Sequence, residues 1–167
     1  KTMRRAPTGV GGLDDLIEGG LPRGRIIALS GSAGAGRTTL GMQFLQHGIA
    51  FCDEPGVFVT LEDEVTDLYQ EMARYGWDLP GHSQDKKLAM VKSTIPVEVN
   101  TPLTVDAILD EIHGAVTRVK GRRIVFDSLA AMGLCYTDMV NLRRDVLRLC
   151  ALLRELDCTT LLVTESA

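Results

Sequence analysis

Arg25-Ile-Ile-Ala-Leu-Ser30 runs without a break into Gly31-Ser-Ala-Gly-Ala-Gly36-Arg37-Thr38-Thr39, and an apolar segment carrying Leu40, Met42, Phe44, Leu45 and Ile49 follows at once. An apolar run, a glycine-rich loop and a second apolar segment in that order predict strand, loop and helix. Such a loop is built to hold phosphate. The glycines let the backbone turn with its N–H groups inward, and the new helix adds free N–H groups and the positive end of its dipole. The spacing matches G-x-x-x-x-G-K-[ST] except that Arg37 stands where Lys is usual, and Thr38 takes the position whose hydroxyl meets Mg²⁺. Two other readings fit the loop alone. One is a glycine-rich turn with no ligand. The other is a dinucleotide fingerprint with Gly34 and Gly36 as its first glycines and Glu62 on the ribose, against which stand Thr39 at the third small position and the length of the turn.

Working outward, short apolar runs alternate with amphipathic segments, which calls for an α/β fold with a parallel sheet covered by helices. The predicted strands are Arg25–Ser30, Gly56–Leu61, Leu88–Lys92, Arg123–Phe126 and Thr159–Thr164, all expected to be buried on both faces. Helical stripes run through Val65, Leu68, Met72 and Tyr75, through Val105, Ile108, Leu109, Ile112 and Val116, and through Leu142, Val146, Leu149, Leu153 and Leu156. Asp63 or Glu64 is expected to open the first of these helices and Gly76 to close it, and Thr104 to cap the second. On the last, Arg144, Arg148 and Glu155 fall opposite the Leu stripe as a solvated face. Leu79–Lys87 is polar enough to read as a loop.

Two of the strands deliver acids to the edge where the loop opens. Ile124-Val-Phe ends in Asp127, and an Asp at the carboxyl end of a parallel strand faces the crevice where such sheets bind ligands. Val57-Phe-Val-Thr-Leu61 ends in Glu62 and Asp63, adjacent carboxylates whose repulsion a cation would offset. Phosphoryl transfer needs one carboxylate near Mg²⁺ and usually another to orient water. Glu62 is the candidate for the water. Capping of a loop by Asp127 and of a helix by Asp63 are the plainer alternatives.

Composition narrows the field. The chain has 167 residues, 45% of them hydrophobic, and a net charge of −4. At that length a core forms without disulfide or metal staples. The four cysteines form no C-x-x-C pair and the three histidines fall in no metal-ligand spacing, so a reduced protein without structural zinc is expected. No apolar run approaches the roughly 18 residues of a membrane span and no signal-peptide core follows the first residues, so the expected location is the cytoplasm.

Taken in order, Thr8-Gly-Val-Gly-Gly-Leu-Asp14, Gly19-Gly-Leu-Pro-Arg-Gly24, the Gly31–Thr39 loop, Val57–Asp63, Tyr75-Gly-Trp-Asp-Leu79 and Ile124–Leu129 resemble the RecA superfamily of ATPases, in its KaiC-like and RadA-like branch. The resemblance covers nearly the whole chain. It implies one RecA-type P-loop NTPase domain over residues 1–167, a twisted parallel sheet with helices on both faces, and further strands past Ala167 beside the loop strand. The strand of Asp127 would lie between those ending at Glu62 and Glu165, with the loop strand beyond the latter. Gly31, Ser32, Ala33, Gly34, Ala35, Gly36, Arg37, Thr38 and Thr39 would hold ATP, Thr38 and Asp127 would hold Mg²⁺, Glu62 and Asp63 would be the catalytic acids, and Thr164 and Glu165 would match the sensor position. Self-association into a ring, commonly a hexamer, is implied.

Three functions follow from this reading. The first is slow Mg²⁺-dependent ATP hydrolysis used as a timer or switch. The second is a nucleotide sensor that binds a regulatory partner protein without turnover. A planar guanidinium does not reproduce a Lys ammonium as a point charge, which favours the sensor, whereas the acids favour hydrolysis. The third is DNA binding, which the sequence opposes, because Ala130–Asp138 after the Asp127 strand carries no Lys or Arg to meet phosphates.

Overall fold

The structure, a computed structural model, describes residues 4–31, 36–93 and 105–165. A two-residue ribbon, β1 (Arg5–Ala6) antiparallel to β2 (Leu21–Pro22), frames the short helix α1 (Leu13–Leu16). Then follow β3 (Ile26–Leu29), α2 (Arg37–Phe51), β4 (Gly56–Thr60), α3 (Val65–Ala73), α4 (Leu79–Gln84) and β5 (Leu88–Lys92). The chain continues through α5 (Val105–Val119), β6 (Arg123–Asp127), α6 (Leu129–Gly133), α7 (Met139–Glu155) and β7 (Thr159–Val163). The expected cap Thr104 lies outside the described residues.

Among the described residues five strands make one parallel sheet in the order β3-β7-β6-β4-β5, the RecA-type order implied by the resemblance. Its helices cover both faces. One apolar cluster joins the sheet to α5, α6 and α7 through Ile112, Val116, Met132, Leu149 and Leu153. The other joins it to α2, α3 and α4 through Phe44, Leu45, Leu68, Met72 and Leu79. The register sets Thr60 of β4 beside Asp127 of β6, and Asp127 beside Val163 of β7, so three carboxyl ends finish at one level.

Several local expectations need correction. β3 is not buried on both faces. It lies at the edge of the described sheet, Ala28 is exposed and its neighbours are only partly covered. β6 runs one residue further than the apolar pattern suggested, because Asp127 keeps its place in the ladder. α3 stops at Ala73, so Tyr75 leaves the stripe and is exposed beside Trp77, although Gly76 does adopt the left-handed φ of 78° expected of it. Glu64 takes the N-cap position of α3 without a side-chain capping bond. The expected loop Leu79–Lys87 begins as α4, where the Asp78 carboxylate accepts the Gly81 N–H and Pro80 sits in the first turn, the one place a helix welcomes proline. The solvated face of α7 is partly used, since Arg148 pairs with Asp106 of α5.

Candidate functional site

α2 begins at the loop end. Gly36 precedes it with φ 77° and ψ 17°, a left-handed conformation that a Cβ would strain, and its carbonyl accepts the Leu40 N–H at 2.9 Å. The first-turn N–H groups of Arg37, Thr38 and Thr39 therefore open toward the carboxyl ends of the strands without helical partners. No acidic side chain occupies that first turn to neutralise it.

Opposite stands Asp127. The Thr38 hydroxyl donates to Asp127 Oδ2 at 2.8 Å, joining the two residues that the sequence pairs as metal holders. A cleft of about 200 Å³ opens there, lined by Gly36, Arg37, Thr38, Thr39, Asp63, Glu71, Asp127 and Val163. Burial pushes the Asp127 carboxyl above its ordinary range; the Thr38 hydrogen bond and Arg37 pull it down, and the charge of Asp63 pushes it up. A half-desolvated carboxylate that its surroundings do not fully neutralise, beside a hydroxyl and a second carboxylate, is a hard oxygen donor set that suits Mg²⁺.

Arg37 lines the same cleft, and its Nη1 donates to the Thr164 backbone carbonyl, so the cation at the Lys position ties the start of α2 to the end of β7. Thr164 in turn donates its N–H to the Leu29 carbonyl at 2.9 Å, holding the residue after β7 against the end of β3. Glu165 is exposed, and its side chain does not line the cleft.

The two adjacent acids part company. Asp63 lines the cleft with Asp127, whereas Glu62 is exposed and outside the lining. Both sit in a turn fixed by its backbone: Thr60 Oγ1 accepts the Asp63 N–H and donates to the Asp63 carbonyl, each at 3.1 Å. Gly31 ends the described part of the loop; Ser32, Ala33, Gly34 and Ala35 lie outside the described residues. Glu71 was not singled out from the sequence. Its signal was faint: it stands three residues after Leu68 on α3, one step off the buried stripe.

The comparisons with known proteins fall in line with this geometry. The family described as "ATPase: KaiC" matches residues 6–167. The chain belongs to the KaiC family of ATPases. Its relatives include proteins named circadian clock oscillator protein KaiC, from Prochlorococcus marinus and from Parasynechococcus marenigrum, each 36% identical over 166 residues that cover 98% of this chain. The chain spans about one third of their length, 33% and 32% respectively. A solved KaiC-like protein from Pyrococcus horikoshii OT3 superposes with a TM-score of 0.88 at 37% identity, covering 99% of this chain and 72% of that one. Within the KaiC family, then, the sheet order and the position of the loop helix are those of the RecA-type fold.

Among the described residues no helix is long and apolar enough to cross a membrane, and no group of three or more His, Cys, Asp or Glu side chains is placed to hold a metal ion. All four cysteines are free thiols.

Proposed function

We propose that this chain binds ATP in the cleft between the start of α2 and the ends of β4, β6 and β7, and hydrolyses it slowly with Mg²⁺ as a conformational switch or timer. The observation that carries this reading is the bond from the Thr38 hydroxyl to Asp127 at the foot of a helix with no acidic side chain in its first turn. The loop and the first amides of that helix would hold the phosphate oxygens, as anions are held at helix N-termini generally. Thr38 and Asp127 would hold Mg²⁺, which when bound would neutralise charge on the phosphates.

Glu62 would take the proton of the water that attacks the terminal phosphorus as the bond to the bridging oxygen breaks, and Asp63 would add negative charge beside Asp127. In-line transfer of this kind depends on position and electrostatics more than on covalent chemistry. Assembly into a ring, a hexamer in the simplest case, and a cytoplasmic setting belong to the same proposal, supported by the family.

The test is titration of ATP and ADP with Mg²⁺ together with phosphate release. Glu62→Gln is expected to lower release about 100-fold or more while binding persists. Arg37→Lys is expected to raise it by roughly severalfold, since an ammonium concentrates its charge on the phosphates. Equal turnover in all three proteins overturns the roles assigned.

The sensor reading draws support from one observation, the bond from Arg37 to the Thr164 carbonyl, which engages the loop cation with the protein itself. Binding without phosphate release selects it. The DNA reading gains nothing: α6 and the turn after it, through Asp138, carry no cation.

A further inference from the structure

β5 ends at the same level as the site. Its last residue, Lys92, pairs with Thr60 of β4, the residue that on its other side pairs with Asp127. From there the Lys92 ammonium donates to the Glu62 carbonyl at 3.0 Å, to the Asp63 carbonyl at 3.1 Å and to Glu64 Oε1 at 3.3 Å. All three of its protons are thus directed at three consecutive residues.

Beneath them the Thr60 hydroxyl holds the Asp63 N–H and carbonyl. The acidic turn is pinned from both sides, and neither contact uses the Glu62 or Asp63 carboxylate. Among the described residues those carboxylates accept no hydrogen bond, while their backbone is fixed relative to Asp127, whose carbonyl accepts the Leu61 N–H at 3.0 Å.

We infer that Lys92 is a positioning residue for the proposed hydrolysis: its ammonium sets the backbone of Glu62 and Asp63 and so where their carboxylates can reach around the cleft. This rests on the ATPase reading given above. A plain surface ion pair would be worth about 0–1 kcal/mol and would leave chemistry untouched. Here the ion pair to the exposed Glu64 is the longest of the three contacts, and two charge-assisted bonds go to carbonyls, which convert the cation into a constraint on loop geometry. Lys92 does not line the cleft, and none of its three hydrogen bonds goes to a side chain that does, so its loss should alter turnover rather than affinity.

The test compares Lys92→Met and Lys92→Arg with the unaltered protein by ADP and ATP calorimetry, phosphate-release kinetics and amide hydrogen exchange. Lys92→Met is expected to leave nucleotide affinity within about twofold and to lower kcat roughly 10- to 100-fold, the cost of small misplacements at a reacting centre. The Asp63 amide should exchange about tenfold or more faster, with β6 unchanged. Lys92→Arg should recover part of kcat, since a guanidinium can also serve two carbonyls.

An unaltered protein that hydrolyses ATP, with kcat the same in Lys92→Met, overturns the inference alone. Faster turnover, or a loss confined to affinity, does so as well. An unaltered protein without turnover overturns the inference together with the hydrolysis reading, and faster exchange at Asp63 would then mark Lys92 as a brace of the fold only.

Discussion

The two ends of the central sheet treat charge in opposite ways. At the amino end, Arg123 of β6 is completely buried, yet its guanidinium is answered on every side. Nη1 donates to the Pro7 carbonyl at 2.7 Å and the Phe44 carbonyl at 2.8 Å; Nε and Nη2 donate to Glu54 Oε1 at 3.2 and 3.0 Å. The group stacks over the Phe44 ring at 4.6 Å, and Arg23 pairs with the other oxygen of Glu54. At the carboxyl end Asp63, Glu71 and Asp127 line a cleft whose one cation among the described residues is Arg37, and that cation also serves a backbone carbonyl. A cluster that satisfies itself is structure. One that leaves carboxylates facing a hydroxyl at a helix N-terminus has chemistry left for a ligand.

The largest effect is expected at Arg123. Arg123→Met leaves Glu54 buried with only Arg23 and removes the anchor of Pro7; a loss of about 3–5 kcal/mol is expected, as when one partner of a buried pair is deleted. For a domain of this size that lowers Tm by roughly 10 °C, read by thermal and urea denaturation. Asp127→Asn should behave in the opposite sense. Removing a half-buried charge that its surroundings disfavour should leave Tm unchanged or higher, while Mg²⁺-dependent nucleotide binding weakens about tenfold or more. Similar destabilisation by both substitutions would erase the distinction between the ends.

Much of the carboxyl end was legible because its chemistry is written in local order: an apolar run followed by the glycine loop, and apolar runs followed by acids. The strand order needed the family resemblance, since adjacency in a parallel sheet leaves no trace in periodicity. The amino end was hidden. Arg122 and Arg123 are adjacent and identical in kind at the start of a strand, and nothing local says that the first is exposed while the second is wholly buried. The informative partner is far away in sequence: a Cβ on Gly48 of α2 would lie 2.5 Å from the Arg123 side chain, a close approach that only the folded register reveals. Lys92 escaped for a similar reason, because its partners are backbone carbonyls, which every residue possesses.

A smaller charge cluster at the amino end closes the turn over α2. The Asp14 carboxylate accepts the Thr8 N–H at 2.9 Å, the Thr8 hydroxyl at 2.7 Å and the Gly9 N–H at 3.0 Å, closing the turn that carries Pro7 to Arg123. Gly9, at φ 82°, lies directly over His47 of α2; a Cβ there would be 2.6 Å from His47 Nδ1, and Gln43 Nε2 donates to the Gly9 carbonyl at 3.0 Å. Burial pushes the Asp14 pKa up, but the bonds from Thr8 and Gly9, with His47 nearby, outweigh it and hold the group below its ordinary 3.8. The unfolded chain therefore binds the proton more readily than the folded one. The stabilisation is complete above the ordinary value and lost as pH falls through the lowered one. Asp14→Ala should thus cost on the order of 1 kcal/mol at neutral pH, a modest sum because the carboxylate is partly open to water. In urea denaturation the gap between the two proteins should narrow on acidification, as the unaltered carboxylate takes up its proton. A gap that stays constant with pH would mean that Asp14 acts through packing, and that the turn over α2 does not share the charge satisfaction seen around Arg123.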